Sequence, residues 1–150
     1  MTRRNLLMWT VLVAAFLAAC ETTPNDPIGG RTVPISIIEH HRADDPVFKD
    51  VGALLINSHE DLDASGSLTL ADLDVNFSTN SLVVLAAGEQ ATGGWSATIT
   101  GVQMRGDALY FQGVIERPGK DDVASQALTY PIAAAVIEKV NASIVHPEIE

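Results

Sequence analysis

One stretch of strict alternation limits the possible folds more than any other feature of this chain. In "WSATITGVQM", Trp95, Ala97 and Ile99 alternate with Ser96, Thr98 and Thr100. A period of two sends the two sets to opposite faces of a β-strand, which no helix can do. "RGD", Arg105 to Asp107, supplies turn residues and "ALYFQGVIE" returns, so a hairpin is expected here. "VGALLINS" and "SLVVLAAGE" are short apolar runs that fit buried strands. "VPISIIEHH" alternates at first, with Ile35 and Ile37 on one face, and "AAAVIEK" and "NASIVHP" supply two more strands. One short helix is expected at "SHEDLDAS", where Ser58 is a good N-cap and Asp61 stands three residues later in a near capping box. A further helical turn is expected around "DPVFKDV". The fold class is mainly β with a minor α part: a compact antiparallel β sandwich or half-barrel of about seven strands with one short helix.

The N-terminus has a different chemistry. "MTRRNLLMWTVLVAAFLAAC" has a basic start at Arg3 and Arg4, an apolar run from Leu6 to Ala19, and small residues before Cys20. The run is short for a permanent membrane span. "LAAC", Leu17 to Cys20, resembles the bacterial lipobox, in which cleavage precedes the Cys and the Cys receives lipid. Residues 1–19 are therefore expected to be a lipoprotein signal peptide, and Cys20 the lipidation site. "TRRNLL" also resembles a twin-arginine motif, a common n-region feature that leaves the export route open. Diacylglycerol plus an amide-linked acyl chain is enough for stable attachment. Cys20 is the single cysteine, so a mature chain starting there has no disulfide and depends on its core. Glu21 follows the Cys where retention in many inner membranes uses Asp, which favours the outer over the inner membrane of a bacterial cell envelope.

Loss of residues 1–19 removes two Arg and no acid, leaving 7 basic against 19 acidic residues, a net charge of −12. Such a surface repels phosphate backbones and anionic headgroups, so nucleic acid is excluded as a partner and lipid is the expected membrane attachment. Much of the acidity serves solubility. Residues 20–33 read as the lipidated Cys and a flexible tether, because "ETTPNDPIGGRT" holds two Pro, two Gly and no apolar period. Residues 34–150 read as one β-rich domain, with no internal repeat and no second linker.

Three further groups of residues follow in a fixed order: "DVNFSTNSLVVLAAGEQATGGWSATITGVQ", "GDALYFQGVIERPGKDD" and "SQALTYPIAAAVIEK". They contain a strand ending at Gly88, the loop Thr92-Gly93-Gly94-Trp95, a hairpin, the turn from Glu116 through Arg117 and Pro118 to Gly119, and the stretch from Gln126 to Pro131 with Tyr130 inside. In this order and spacing the chain resembles the C-terminal domain of the PrcB family, lipoprotein subunits of a protease complex, over most of residues 51–139. It departs from the family in having Trp95 where Tyr is usual and one extra residue in "DVNFS". The resemblance implies a non-catalytic domain whose partner is another protein, and a protease as that partner.

The Gly-Gly loop is the candidate protein-binding segment: Thr92, Gly93, Gly94 and Trp95. Consecutive glycines allow positive φ and close backbone approach, as a tight turn or a binding loop requires. The bland reading is a strand connection with no partner. A Thr-Gly-aromatic loop is also similar to those that chagasin-type cysteine-protease inhibitors insert into an active site, so a protease inhibitor is the alternative function. Alternation places Trp95 on the core face with Ala97 and Ile99, whereas the first residue after a loop often stays exposed.

A second alternative is a calcium-bound structural domain. Asp61, Asp63, Ser65, Gly66, Ser67, Thr69 and Asp72 stand at positions 1, 3, 5, 6, 7, 9 and 12 of an EF-hand pattern, so Asp61, Asp63, Ser65, Ser67 and Asp72 are the candidate metal ligands. Against it, "LDVNFSTNSLVVL" follows as strand where a helix is needed, and Asp72 is one carbon shorter than the usual Glu. Asp61 and Asp63 serve better in the Ser58-capped helix, which leaves "ASGSLTLAD" as loop and no expected cofactor apart from the lipid on Cys20.

No enzyme is expected. "HEDLD" lacks the second His of a zincin helix, and no Gly-x-Ser-x-Gly elbow or phosphate loop occurs. His40, His41, His59 and His146 read as surface residues. Arg105-Gly106-Asp107 spells an adhesion tripeptide but stands where a hairpin needs turn chemistry, and Asn76 and Asn141 open glycosylation sequons in form only.

Overall fold

The stretches Leu82–Ala87 and Ile132–Ile137 have no polar position, so each needs apolar cover on both faces. The computed structural model describes residues 32–142 and 144–150, and in it these stretches form the two central strands of one sheet. In chain order the elements are β1 (Thr32–Ile35), β2 (Ile37–Asp44), β3 (Val51–Ile56), α1 (His59–Ser65), α2 (Leu68–Ala71), β4 (Asn80–Ala87), β5 (Ser96–Arg105), β6 (Ala108–Glu116), β7 (Pro131–Glu138) and β8 (Ile144–Ile149). They make two four-stranded sheets, ordered β1-β5-β6-β8 and β2-β7-β4-β3. The protein is mainly β, and the sheets do not close into a barrel.

The layers follow from the side-chain period. Val83, Leu85 and Ala87 of β4, with Ala133, Ala135 and Ile137 of β7, face the other sheet and meet Ala97, Ile99, Leu109 and Phe111. The alternate residues, Leu82, Val84, Ala86, Ile132, Ala134 and Val136, form a second core with Leu62 of α1, Leu70 of α2, and Val75 and Phe77. Across the β4–β7 pair, large residues stand opposite small ones, Leu85 with Ala133 and Val84 with Ala134. That pairing lets the layers interdigitate without overfilling.

α1 forms for local reasons. The Ser58 hydroxyl accepts from the Asp61 N–H at 3.1 Å, and the Asp61 carboxylate accepts from the Asn57 N–H at 3.1 Å. Gly66 closes the helix at φ 71°, donating its N–H to the Asp63 carbonyl. The bond with the Ser58 side chain, and then the Asn57 N–H, hold the Asp61 carboxyl below its ordinary value of 3.8. A depressed carboxyl stabilises the fold above its unfolded pKa, and that contribution is lost as pH falls through the folded value.

Several expectations change. "VPISIIEHH" is two strands rather than one: the chain leaves one sheet at Ile35 and joins the other at Ile37, which brings the strands among the described residues to eight. β1 also takes Thr32 and Val33, the last two residues of the expected tether. All strand pairs are antiparallel except β6–β8, which is parallel because the chain crosses from β7 back to the other sheet before pairing. The helical turn expected around "DPVFKDV" is a non-helical turn at Pro46–Val47. The expected loop "ASGSLTLAD" contains α2, capped by the Ser67 hydroxyl, which accepts from the Leu70 N–H at 2.9 Å.

α2 is held by a contact that no local pattern announces. Asp45 is only 2 % exposed; its carboxylate accepts from the Val47 N–H at 3.0 Å and from the Ser67 hydroxyl. Asp45→Ala leaves both donors without that acceptor and is expected to cost about 2–3 kcal/mol, read from the shift in urea midpoint. An unchanged midpoint would show that α2 docks without the carboxylate.

Candidate functional site

Gly88 ends β4 at φ +73°, a left-handed conformation that side chains with a Cβ rarely adopt. The turn brings Glu89 under the segment before β3, and its N–H donates to the Lys49 carbonyl at 2.9 Å. Gln90 then pairs with Thr129 in both directions, at 2.8 and 3.0 Å, and its side-chain amide donates to the Ala87 carbonyl at 2.7 Å. The Gly93 N–H donates to the Ser125 carbonyl at 2.9 Å, and the Thr129 hydroxyl donates to the Thr92 carbonyl at 2.9 Å. The loop after β4 is thereby clasped to the long connection between β6 and β7.

Both glycines of the loop answer to that clasp. A Cβ on Gly93 would strike the Ser125 hydroxyl, and one on Gly94 would lie 2.9 Å from the Pro118 Cβ. Gly94 also has φ +84°. Opposite, the Gly119 N–H donates to the Asp122 carboxylate at 2.7 Å, which closes the Pro118–Gly119 turn. The Tyr130 hydroxyl donates to the Glu89 carboxylate at 2.8 Å. That bond, reinforced by the negative charges of Glu89 and Asp44, pushes the Tyr130 phenol above its usual value. The phenol therefore stays protonated, as a donor must.

The sequence-predicted loop residues thus come together with residues far along the chain. The Thr92 carbonyl and the Gly93 N–H are bonded to Thr129 and Ser125, Gly94 approaches Pro118, and Trp95 stands at their exit, half-buried. Ala97 and Ile99 lie in the inter-sheet core, but neither apolar cluster among the described residues includes Trp95. Its alternation with Ala97 and Ile99 therefore does not carry it into the core, because the strand begins only at Ser96. Beside the loop, Val123 is fully exposed and Leu128 is 60 % exposed, a pair of apolar side chains on a hydrogen-bonded scaffold.

The other candidate residues are dispersed. Asp61 and Asp63 lie in α1, Ser65 donates to the Leu62 carbonyl at 2.6 Å, Ser67 is bonded to Asp45, and Asp72 is the C-cap of α2. Two short helices replace the single wrapping loop that the EF-hand pattern required. Among the described residues no group of three or more His, Cys, Asp or Glu side chains is placed to hold a metal ion. Cys20 lies outside the described residues. His40 and His59 are exposed, His41 is half-buried, and His146 stacks on Tyr110 at 4.7 Å between centroids. Arg105 is drawn into the sheet face, 4.3 Å from the Tyr110 ring and 3.6 Å from Glu148, while Gly106 makes the turn at φ +65°. Sequence reasoning missed Glu89, Asp45 and Arg42, whose partners stand 41, 22 and 56 positions away, beyond any local signal.

Residues 81–138 match the family model described as PrcB C-terminal. The protein carries a PrcB C-terminal-like domain. The matched segment runs from β4 through β7 and contains the Gly88–Trp95 loop and the whole β6–β7 connection clasped to it. It is narrower than the span of 51–139 expected from the motifs, leaving β3 and both helices outside it. Comparison with curated proteins and with solved structures returns no match.

Proposed function

We propose that the protein is a non-catalytic lipoprotein of a bacterial cell envelope, a protein-binding and stabilising accessory of a protease complex. One observation supports this reading: the segment that matches the PrcB C-terminal family contains both the Gly88–Trp95 loop and the β6–β7 connection bonded to it, and that connection exposes Val123 and Leu128. Backbone groups spent on the clasp do not reach into an active-site cleft, which favours an accessory over an inserted inhibitor. Recovery of the full chain from its own cell envelope, followed by mass spectrometry, is expected to bring down a protease subunit. Trp95→Ala, outside both apolar clusters, is expected to stay folded while binding weakens by about 2 kcal/mol, the scale of an interface anchor. A variant that unfolds, or one that binds as the wild type does, removes Trp95 from the interface. No inhibition of papain-like or subtilisin-like proteases is expected, and stoichiometric inhibition would favour the inhibitor instead.

Lipid on Cys20 is the proposed attachment, with Glu21 favouring the outer membrane. Cys20→Ser is expected to abolish incorporation of a palmitate analogue and to leave the precursor uncleaved. Label persisting in the variant would rule the anchor out.

A further inference from the structure

β5 is covered on one edge along its length by β6, but only half covered on the other. β1 pairs with Val102–Arg105 and stops at Ile35, where the chain leaves for the second sheet. The division coincides with a β-bulge, marked by the register shift between Ile99 and Gly101. Bulges end pairing and re-aim the strand. Ser96–Thr100 therefore has no strand neighbour on that edge among the described residues.

β2 is the nearest edge of the other sheet and has β7 as its strand neighbour. Between β2 and the open half of β5 lies a cleft lined by His40, His41, Arg42, Thr98 and Thr100. Arg42 crosses it, donating to the Thr98 hydroxyl at 2.7 Å. Its charge thus meets a neutral oxygen, in a protein with formal net charge −10. Of the acids on the same strand, Glu39 lies 3.5 Å from His41 of the cleft lining, and Asp44 accepts from the Tyr130 N–H.

Natural sheets protect free edges with charges, proline or cover. The open half of β5, Ser96-Ala97-Thr98-Ile99-Thr100, carries neither charge nor proline. β8, by contrast, carries His146, Pro147 and Glu148. The uncharged edge strand β3 lies beside β8 of the other sheet. The open edge also begins directly after Trp95, so it is continuous with the family loop.

From this placement we infer that the cleft between β2 and β5 receives an extended acidic segment of a partner protein. The segment adds as a strand to Ser96–Thr100 in line with β1, and its inward carboxylates meet Arg42. Main-chain hydrogen bonds supply affinity in such strand addition, and alternate side chains supply selectivity. The inference rests on the accessory reading, since it says where the partner docks.

The test uses the full chain in detergent and an acetylated nonapeptide alternating threonine with glutamate, beside its threonine–lysine counterpart. The glutamate peptide is expected to bind at least about tenfold more tightly than the lysine peptide, and to protect Ser96–Thr100 amides from hydrogen exchange. Arg42→Gln should remove the preference and Arg42→Glu should reverse it. Equal binding of both peptides, or protection of β3 or β8 instead of β5, overturns the inference. So does self-association that protects the same edge, since the occupant is then a second copy. Recovery from the cell envelope separates this from the accessory reading. A partner retained by a folded Arg42→Glu protein overturns the docking mode alone, and recovery of no partner by the wild type overturns the accessory role.

Discussion

Phe111→Ala is expected to destabilise the protein by about 3–5 kcal/mol, the range for deleting a fully buried aromatic side chain. Phe111 is completely buried at the centre of β6, in the core shared by both sheets. Its neighbours cannot collapse into the space freely. Leu85 already presses on Gly113, where an added Cβ would strike the Leu85 side chain, and Leu109 and Ile99 are themselves fully packed. A domain of about 115 residues loses on the order of 4 °C of melting temperature per kcal/mol, so a fall of more than about 10 °C is expected. Thermal unfolding followed by far-ultraviolet circular dichroism reads it directly. A fall of only a few degrees would mean that the two sheets close over the gap.

Gly88→Ala is the second large effect, and its origin is different. An added Cβ would lie 2.9 Å from the Val51 nitrogen and 3.1 Å from both the Asp50 carbonyl carbon and the Lys49 oxygen. All three atoms are backbone, so no side-chain rotation relieves the contact. The left-handed φ of +73° adds its own cost for any residue with a Cβ. Together these are expected to cost about 3 kcal/mol, from roughly equal shares of strain and overpacking. The loop 89–95 should shift with them, because the Glu89–Lys49 bond at 2.9 Å depends on the same approach. Gly52→Ala is the control: no atom lies within 4 Å of its added Cβ and its φ is not positive. Equal losses at Gly52 and Gly88, measured by urea midpoint, would refute the close-approach explanation.

Much of the fold was legible because much of it is local. The alternation from Ala97 to Ile99 needs only a period of two to define a strand with one buried face. Ser58 and Asp61 cap α1 within four residues of chain, so the helix could be read from its own sequence. The Arg105–Asp107 turn was likewise local. Of the candidate site, the Gly-Gly loop was visible as a conformational requirement, and Gly94 does take a positive φ. What clasps that loop was not visible: Thr92 and Thr129 are 37 positions apart.

Sequence alone therefore determined the strands, the first helix and the glycine-dependent turns, because period, capping and backbone freedom act over a few residues. Tertiary structure decided where the strands go. Ser36 separates two strands that belong to different sheets, and nothing in "VPISIIEHH" marks the switch. α2 is four residues long, and an isolated helix of that length is not stable. It persists because Leu70 is buried in the second core and Ser67 is bonded to Asp45. The open half of β5 exists only because β1 leaves its sheet after Ile35. Each of these outcomes depends on burial and hydrogen bonding between segments far apart in sequence, which only the closed core brings within reach of one another.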